Sequence, residues 1–316
     1  MKIFRVTKAS ITFVTFIAFV FSIVLIPVLS GCDGDSGNVT SMPMTGGGAN
    51  GRIGGMAVKG PVNGGMVTAY GVDNGASSGR LGTATTDPQG NFNMMIGDYS
   101  GPVMLTMSGG TYMDEATGFM TTMGGNDMMT AAIPSFSSGG MVTGIQMTPL
   151  TSMAQAMAAD MPGGMTAANM SDANMAMGNY FMVNDILATT PMNPNVTGSG
   201  AKATQDMRNY GMAIATMMEN AKTLGMTSSS GMVTAMMSDV SDGYMNGMMG
   251  GSVPIAMGGG MSMMGGGTMM QANMGTSGMA DTMTSFMNSR MNKSGLTVAD
   301  MQALMDHLNS TSGAIR

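Results

Sequence analysis

The sequence predicts a segregated α+β fold, in which an N-terminal all-β sandwich is followed by a C-terminal all-α helical bundle. Short runs of β-forming residues separated by turn residues occupy 51–147. After Thr148, the spacing of apolar residues changes from every second position to every third or fourth. We therefore expect a leader at 1–31, a flexible tether at 32–50, the sandwich at 51–147 and a helical domain at 148–316.

The predicted strands are apolar runs bounded by Gly, Asn, Asp and Pro. In the clearest of them, Val103, Leu105 and Met107 alternate with less apolar residues, which places all three on one face of a strand. The other predicted strands lie at 56–58, 66–70, 82–86, 92–96 and 144–147. Turns that recur at such short intervals are typical of a β-sandwich.

The same region resembles the carboxypeptidase regulatory-like domain, a prealbumin-type β-sandwich. The resemblance is carried by VKGPVNGGMVTAY at 58–70, ATTDPQGNF at 84–92 and IGDY at 96–99. The residues that fit the family pattern are Gly65, Asp87, Gly90 and Phe92. The resemblance implies a binding or spacer module without chemistry of its own.

Asp87 and Asn91 raise the question of a calcium site in the turn between two predicted strands. A calcium loop needs about 6 to 8 oxygen ligands, and only these two side chains are visible here. An aspartate at the head of a turn that contains proline commonly accepts hydrogen bonds from its own backbone. We therefore expect Asp87 to hold the turn.

Capping residues mark the predicted helices. Thr148 followed by Pro149 is typical of an N-cap and a first helical residue. Ser171 is the predicted N-cap of a second helix, and the longest helix is expected at about 202–224, where apolar residues recur at steps of three and four. The last helix is predicted to begin at a sequence resembling a capping box, 297–300.

The leader resembles a bacterial lipoprotein signal. Lys2, Arg5 and Lys8 precede an uncharged apolar run that ends in Leu29-Ser30-Gly31-Cys32. The resemblance implies cleavage before Cys32, diacylglycerol on its sulfur, and an extracytoplasmic protein anchored to a bacterial membrane. The alternative, a retained transmembrane helix, is disfavoured because a tether rich in Gly, Ser and Asp follows at once.

The charge balance limits the possible partners. Removal of residues 1–31 leaves nine basic residues against the 18 acidic ones, a net charge of −9. An acidic chain without a basic cluster lacks the electrostatic footprint of a nucleic-acid-binding protein, and an anionic membrane surface would repel it. We therefore expect no nucleic-acid partner, and membrane contact through the N-terminal lipid alone.

The inventory of reactive side chains predicts a non-enzymatic protein with no required cofactor. His307 is the single histidine, Cys32 is the single cysteine, and Glu115 and Glu219 are the two glutamates. We expect His307 to face solvent near the end of the last helix. An Asp-based hydrolase is the remaining enzymatic alternative; Asp114 with Glu115 is the adjacent acidic pair, and a turn explains that pair better.

Methionine is as abundant as glycine, at 49 residues each. Most methionines stand at helical core positions, where they replace leucine and predict an adaptable core. The segment 245–275 differs, because its high glycine content predicts exposed thioethers. Candidate ligands there for Cu(I), which favours soft sulfur, are Met261, Met263, Met264, Met269 and Met270. Low-complexity drift, an adhesive surface and an oxidant trap are the competing explanations.

These observations favour a lipid-anchored cell-envelope protein that acts as a binding, interaction or structural module for a protein partner of unknown identity. The alternative is a Cu(I)-binding or copper-tolerance lipoprotein that uses the segment rich in Met and Gly.

Overall fold

The computed structural model describes residues 50–226, 228–257 and 268–315, which all belong to one compact unit. Outside the described residues lie the predicted leader 1–31, the predicted tether except Asn50, and Cys32, Met261, Met263 and Met264. The described part is a mixed α+β structure: strands fill 51–147, and helices with short two-residue strands follow.

Two sheets face each other across a shared apolar core and form a β-sandwich. The first has the order β4-β1-β9, with β1 antiparallel to β4 and parallel to β9. The second is antiparallel throughout, in the order β3-β2-β5-β8. The strands are β1 Gly51–Ala57, β2 Met66–Asp73, β3 Ala76–Thr85, β4 Asn91–Gly97, β5 Gly101–Ser108, β8 Met128–Phe136 and β9 Met141–Met147.

The alternation predicted for β5 is confirmed. Val103, Leu105 and Met107 are fully buried and pack between the two sheets, with Ile53 and Phe92 from the facing sheet in the same core. A small hairpin of β6 Thr111–Met113 and β7 Met120–Thr122 projects beyond this core.

Strand β8 was missed by the sequence patterns because it is buried on both faces and therefore shows no alternation. Met129 and Ala131 point into the sandwich, whereas Ala132 packs in the second core, against the helices. β8 is also an edge strand, and helix α1 (Pro149–Asp160) covers its free edge. Ser152 Oγ accepts the Thr130 N–H at 2.8 Å, and Thr151 Oγ1 donates to the Thr130 carbonyl at 2.8 Å. Side-chain hydroxyls thus satisfy a sheet edge that would otherwise expose unpaired backbone groups.

Several helices begin at residues whose side chains cap them, and two of the predicted caps are correct. Thr148 Oγ1 accepts the Thr151 N–H, with Pro149 as the first residue of α1. Thr297 and Asp300 form the predicted capping box, although it opens a 3-10 helix, Val298–Met301, that leads into α7. The other helices are α2 Ala167–Tyr180, α3 Ser199–Lys202, α4 Gln205–Thr223, α5 Ser230–Val240, α6 Ser277–Met287 and α7 Gln302–Ser310.

Ser171 was wrongly predicted as the cap of the second helix. α2 begins five residues earlier, where Thr166 Oγ1 accepts the Asn169 N–H at 3.2 Å. Ser171 lies in the second turn, because Gly163 and Gly164 end the preceding turn with positive φ and place Thr166 at the start. Among the described residues, no helix combines the length and hydrophobicity that a bilayer span requires.

The described portion of the segment rich in Met and Gly packs against the helices. Its described portion forms the two-residue strands β10 Met248–Met249, β11 Val253–Pro254, β12 Ala256–Met257 and β13 Thr268–Met269. The expectation of exposed thioethers is wrong for several of its methionines, because these pack in the core formed by the helices. The buried ones are Met245, Met257, Met270 and Met274.

Candidate functional site

The most unusual chemistry of the described residues is a buried cluster of charged and hydroxyl side chains between the sandwich and helix α5. We call it the Lys59 cluster. It consists of Lys59, Tyr112, Asp114, Glu115 and Ser229, all of them buried. Lys59 follows β1, the next three residues belong to the β6–β7 hairpin, and Ser229 immediately precedes α5. Groups far apart in the sequence therefore meet where the two parts of the fold join.

Lys59 is fully buried, and two hydroxyl groups hold its ammonium group. Its Nζ donates to Tyr112 Oη and to Ser229 Oγ, at 2.7 Å each. The Nζ also lies 3.9 Å from the centroid of the Tyr112 ring, a cation–π distance. Tyr112 Oη and Ser229 Oγ are 2.9 Å apart, so the three groups form a closed triangle.

Asp114 holds the hairpin turn and links it to α5. Its Oδ1 accepts the Ala116 and Thr117 N–H groups at 3.1 and 2.9 Å, which is the turn that the sequence predicted for this pair. Its Oδ2 accepts a hydrogen bond from Ser229 Oγ. The carboxylate is nevertheless buried, which a surface turn does not require.

Glu115 is the incompletely satisfied member of the cluster. Its Oε1 accepts the Gly60 N–H, whereas its Oε2 is buried and has no hydrogen-bond partner among the described residues. Burial raises the pKa of Glu115, and the nearby Lys59 ammonium opposes that rise. A buried carboxylate oxygen without a hydrogen-bond donor lowers the stability of the fold, so such atoms are rare in native structures.

Burial also shifts the pKa values of Lys59 and Tyr112. It lowers the pKa of Lys59, while the carboxylates of Glu115 and Asp114 oppose that effect. It raises the pKa of Tyr112 to about 12, so Tyr112 is a neutral hydrogen-bonding group at physiological pH. The cluster therefore places two carboxylates around one ammonium group.

A cavity of about 210 Å³ opens beside Glu115. The residues after β1 form one wall, and the loop before α3 together with α4 forms the other. Gly211 allows the close approach of that loop to α4, since a Cβ at this position would lie 1.9 Å from the Met192 carbonyl oxygen. Glu115 is the one charged residue among those that line the cavity.

The contact between Ser229 and Lys59 resembles a nucleophile beside a base, but its hydrogen bonding differs from an activated serine. An activated serine donates its proton to the base. Here Ser229 accepts from Lys59 and donates to Asp114. The serine proton is therefore directed to a carboxylate that also holds the turn.

The positions of the other predicted site residues vary. Asp87 holds its own turn as predicted, accepting the Gln89 and Asn91 N–H groups at 2.9 and 2.8 Å. His307 is half-buried rather than fully solvent-facing, because its ring packs edge-on against Tyr180 with centroids 6.0 Å apart. Among the described residues, no group of three or more His, Cys, Asp and Glu side chains is arranged to hold a metal ion.

The two described members of the predicted Cu(I) set differ in exposure. Met269 is exposed on β13, whereas Met270 is buried in the core formed by the helices. The structure therefore does not present their sulfur atoms on one accessible surface. Met248 and Met249 on β10 are further exposed thioethers of this segment.

The β6–β7 hairpin displays an apolar surface that the sequence patterns did not identify. Phe119 is 74% exposed, Met120 is 63% exposed and Met113 is 46% exposed. Met113 and Met120 are directly paired across the two strands, so their side chains lie on the same face. The buried carboxylates of Asp114 and Glu115 fix the turn between them.

Comparison with known proteins adds little. No protein-family model matches the chain, and no curated protein matches it. Among solved structures, a DUF3823 family protein from Parabacteroides merdae aligns weakly, with a TM-score of 0.21 and 13% identity over 32% of this chain and 46% of that one. A 9R-lipoxygenase from Cyanothece aligns with a TM-score of 0.19 and 13% identity over 65% of this chain and 26% of that one. The chain thus spans less than half of either protein, and neither likeness carries a functional conclusion.

Proposed function

We propose that this chain is a non-enzymatic, lipid-anchored cell-envelope protein that binds another protein through its β6–β7 hairpin. In this proposal, the sandwich is a module similar to the carboxypeptidase regulatory-like domain, and the helical part completes its core. The observation that carries the proposal is the exposure of Phe119 and Met120 on a hairpin whose turn is held by the buried carboxylate of Asp114.

The energetics of this hairpin support a docking role. An exposed phenylalanine at a loop tip gains little from folding, and large apolar side chains grouped on a surface commonly mark protein contacts. Asp114 accepts two backbone N–H groups of the turn, so the apolar tip is already ordered before any partner binds. An ordered aromatic anchor loses less conformational entropy on association than a mobile one.

Site-specific photo-crosslinking in the native envelope tests this proposal. A photoreactive residue at position 119 is expected to give a discrete adduct with a second protein. The matched control is position 141, because Met141 is 69% exposed on β9 of the sandwich. The Met120→Ser variant is expected to weaken the adduct formed from position 119. Equal adducts at both positions, or none at position 119, would refute the hairpin as the docking element.

The absence of catalysis has its own test. Because Ser229 donates to Asp114 and accepts from Lys59, we expect a fluorophosphonate probe to leave Ser229 unlabelled. Labelling that disappears in Ser229→Ala would show an activated serine and overturn the non-enzymatic proposal. Ser238, a half-buried serine of α5, provides the matched substitution.

The lipid anchor is tested by mass spectrometry of the N-terminal peptide. The expected product begins at Cys32 and carries a diacylglycerol group on the sulfur. The Cys32→Ala variant is expected to carry no diacylglycerol at position 32. An unmodified thiol on a chain that retains residues 1–31 would contradict both the anchor and the localisation.

Cu(I) binding by the segment rich in Met and Gly is the second candidate function. It is supported by the exposed thioethers of Met248 and Met249 on β10 and of Met269 on β13. Deletion of the segment would remove buried Met257, Met270 and Met274, so substitution is the better test.

The variant for this test replaces Met261, Met263, Met264 and Met269 by Leu. The wild-type chain is expected to withdraw Cu(I) from a colorimetric chelator, and this variant is expected to lose that ability. The control replaces Met141 and Met175, exposed methionines elsewhere, by Leu. Equal competition by the two variants would refute the assignment.

A further inference from the structure

The cavity beside Glu115 combines apolar walls with one buried carboxylate. Met56, Met192 and Ile214 supply hydrocarbon and thioether surface, and Pro61 and Pro191 stiffen the adjacent chain. Thr190, also in the lining, is exposed, so the cavity is reachable from solvent. This combination of apolar walls and one oriented polar group is typical of a site for a small molecule.

The charge around the cavity is unbalanced. Two buried carboxylates, Asp114 and Glu115, share the single ammonium group of Lys59, and the Lys59 Nζ hydrogen bonds go to Tyr112 and Ser229 instead of Glu115. Within the part of the chain that the structure describes, Glu115 Oε2 therefore has neither a hydrogen-bond donor nor a cation in direct contact. A ligand that brings one positive charge and one N–H donor would supply both.

We propose that this cavity binds a small organic ammonium compound, with its cation against Glu115 and its hydrocarbon part against Met56, Met192 and Ile214. The cavity takes Glu115 from the turn of the β6–β7 hairpin, but Phe119 and Met120, the exposed residues of the docking surface, do not line it. This proposal therefore does not depend on the docking function.

The size of the cavity limits the ligand. An apolar cavity of about 150 Å³ holds benzene. The present cavity of about 210 Å³ therefore has room for one ring with an aminomethyl group, or for an alkylammonium of similar volume. A neutral alcohol of the same shape would fill the walls equally well but would lack the charge.

The probes are therefore benzylammonium and benzyl alcohol, titrated into the full-length chain and followed by ligand-observed NMR. We expect benzylammonium to bind about tenfold more tightly than the alcohol, because a charge-assisted hydrogen bond to a buried carboxylate contributes more than a neutral one. Equal affinity for the two probes, or no saturable binding of benzylammonium, would overturn the proposal.

Two variants and a control locate the site. Glu115→Gln removes the charge and is expected to abolish the preference for the ammonium probe, whereas Asp281→Asn, at an exposed position of α6, is expected to preserve it. Val58→Phe places a ring at the half-buried rim and is expected to displace both probes. Because Val58→Phe keeps Glu115, it still tests whether the probes bind in this cavity if Glu115→Gln does not fold. Unchanged binding in Val58→Phe would place the probes elsewhere and refute the site.

Discussion

The two apolar cores of the molecule are built from different side chains. Between the sheets, about half of the described core residues are Ile, Val, Leu or Phe, and about a quarter are Met. Around the helices, the buried residues are largely Met and Ala. β-branched and aromatic side chains suit strands, whereas unbranched methionine suits helices and adapts to irregular gaps. Side-chain shape therefore specifies the sandwich more sharply than it specifies the helical packing.

Buried polar contacts supply the orientation that a methionine core lacks. Tyr210 Oη lies 2.6 Å from Thr148 Oγ1 and donates to the Ile186 carbonyl at 2.9 Å. Tyr180 Oη donates to the Gly275 carbonyl at 2.9 Å. Directional hydrogen bonds of this kind penalise alternative packings because each misplaced partner would be buried without a bond. The comparison thus predicts that, in the helical part, replacing a buried hydrogen-bonding residue lowers the free energy of unfolding more than replacing a buried methionine does.

The largest effect is expected at Lys59, where the two cores meet. Lys59→Met would leave the carboxylates of Asp114 and Glu115 buried without their cation, so we expect a loss of about 3–5 kcal/mol in the free energy of unfolding. Urea unfolding followed by circular dichroism measures it. The control is Lys293→Met at an exposed position, with an expected change within about 0.5 kcal/mol. Similar losses in the two variants would show that the cluster does not join the cores.

A smaller effect is expected at Tyr210. Tyr210→Phe removes a hydroxyl that serves both Thr148 and the Ile186 carbonyl, so we expect a loss of about 1–3 kcal/mol in the free energy of unfolding. The same change at exposed Tyr244 provides the control and is expected to have little effect. If Tyr210→Phe leaves the free energy of unfolding unchanged, buried polar contacts do not orient the methionine core.

Sequence patterns predicted the elements that are determined by interactions between residues close together in the chain. The alternation of β5 and the capping contacts of Thr148 and Thr297 are determined locally, and the structure confirms them. Strand β8 was not predicted because the sandwich buries one of its faces and the helices bury the other, so its apolar residues do not alternate with polar ones. Its Pro134 also disfavours a strand, although proline is tolerated at a sheet edge.

The Lys59 cluster was not predictable in the same way. A lysine followed by Gly60 and Pro61 is typical of an exposed turn, and its partners lie 53 and 170 residues away along the chain. The acidic pair of Asp114 and Glu115 was visible, and the turn predicted for it is correct. Its burial depends on long-range packing that a single sequence does not display.

Asp239 provides a pH-dependent test within the helical part. Its Oδ1 accepts the N–H groups of Asn246, Gly247 and Met248, and burial raises its pKa to about 6. Because the folded-state pKa exceeds the unfolded value, this group favours folding most at low pH, and its contribution falls as the pH rises from about 4 to 6. The expected slope from this one proton is at most about 1.4 kcal/mol per pH unit.

Asp239→Asn is expected to flatten this pH dependence, because the amide oxygen still accepts the backbone N–H groups but does not titrate. Free energies of unfolding measured at several pH values between 4 and 7 give the two slopes. Asp281→Asn serves as the charge-matched control, since Asp281 is exposed. Equal slopes in the wild type and Asp239→Asn would exclude Asp239 as a source of the pH dependence.

The smallest effects come from exchanging the two kinds of core side chain. Leu105→Met places an unbranched chain in the sandwich and is expected to cost up to about 1.5 kcal/mol, because methionine loses more rotamer entropy on burial and fits the site less exactly. Met217→Leu in α4 recovers that entropy in an adaptable site, so its free energy of unfolding is expected to stay within about 0.5 kcal/mol of the wild type or to rise. Thermal and urea unfolding of both variants measure the difference. If Met217→Leu costs as much as Leu105→Met, the helical core is as precisely packed as the sandwich, and the contrast between the two cores fails.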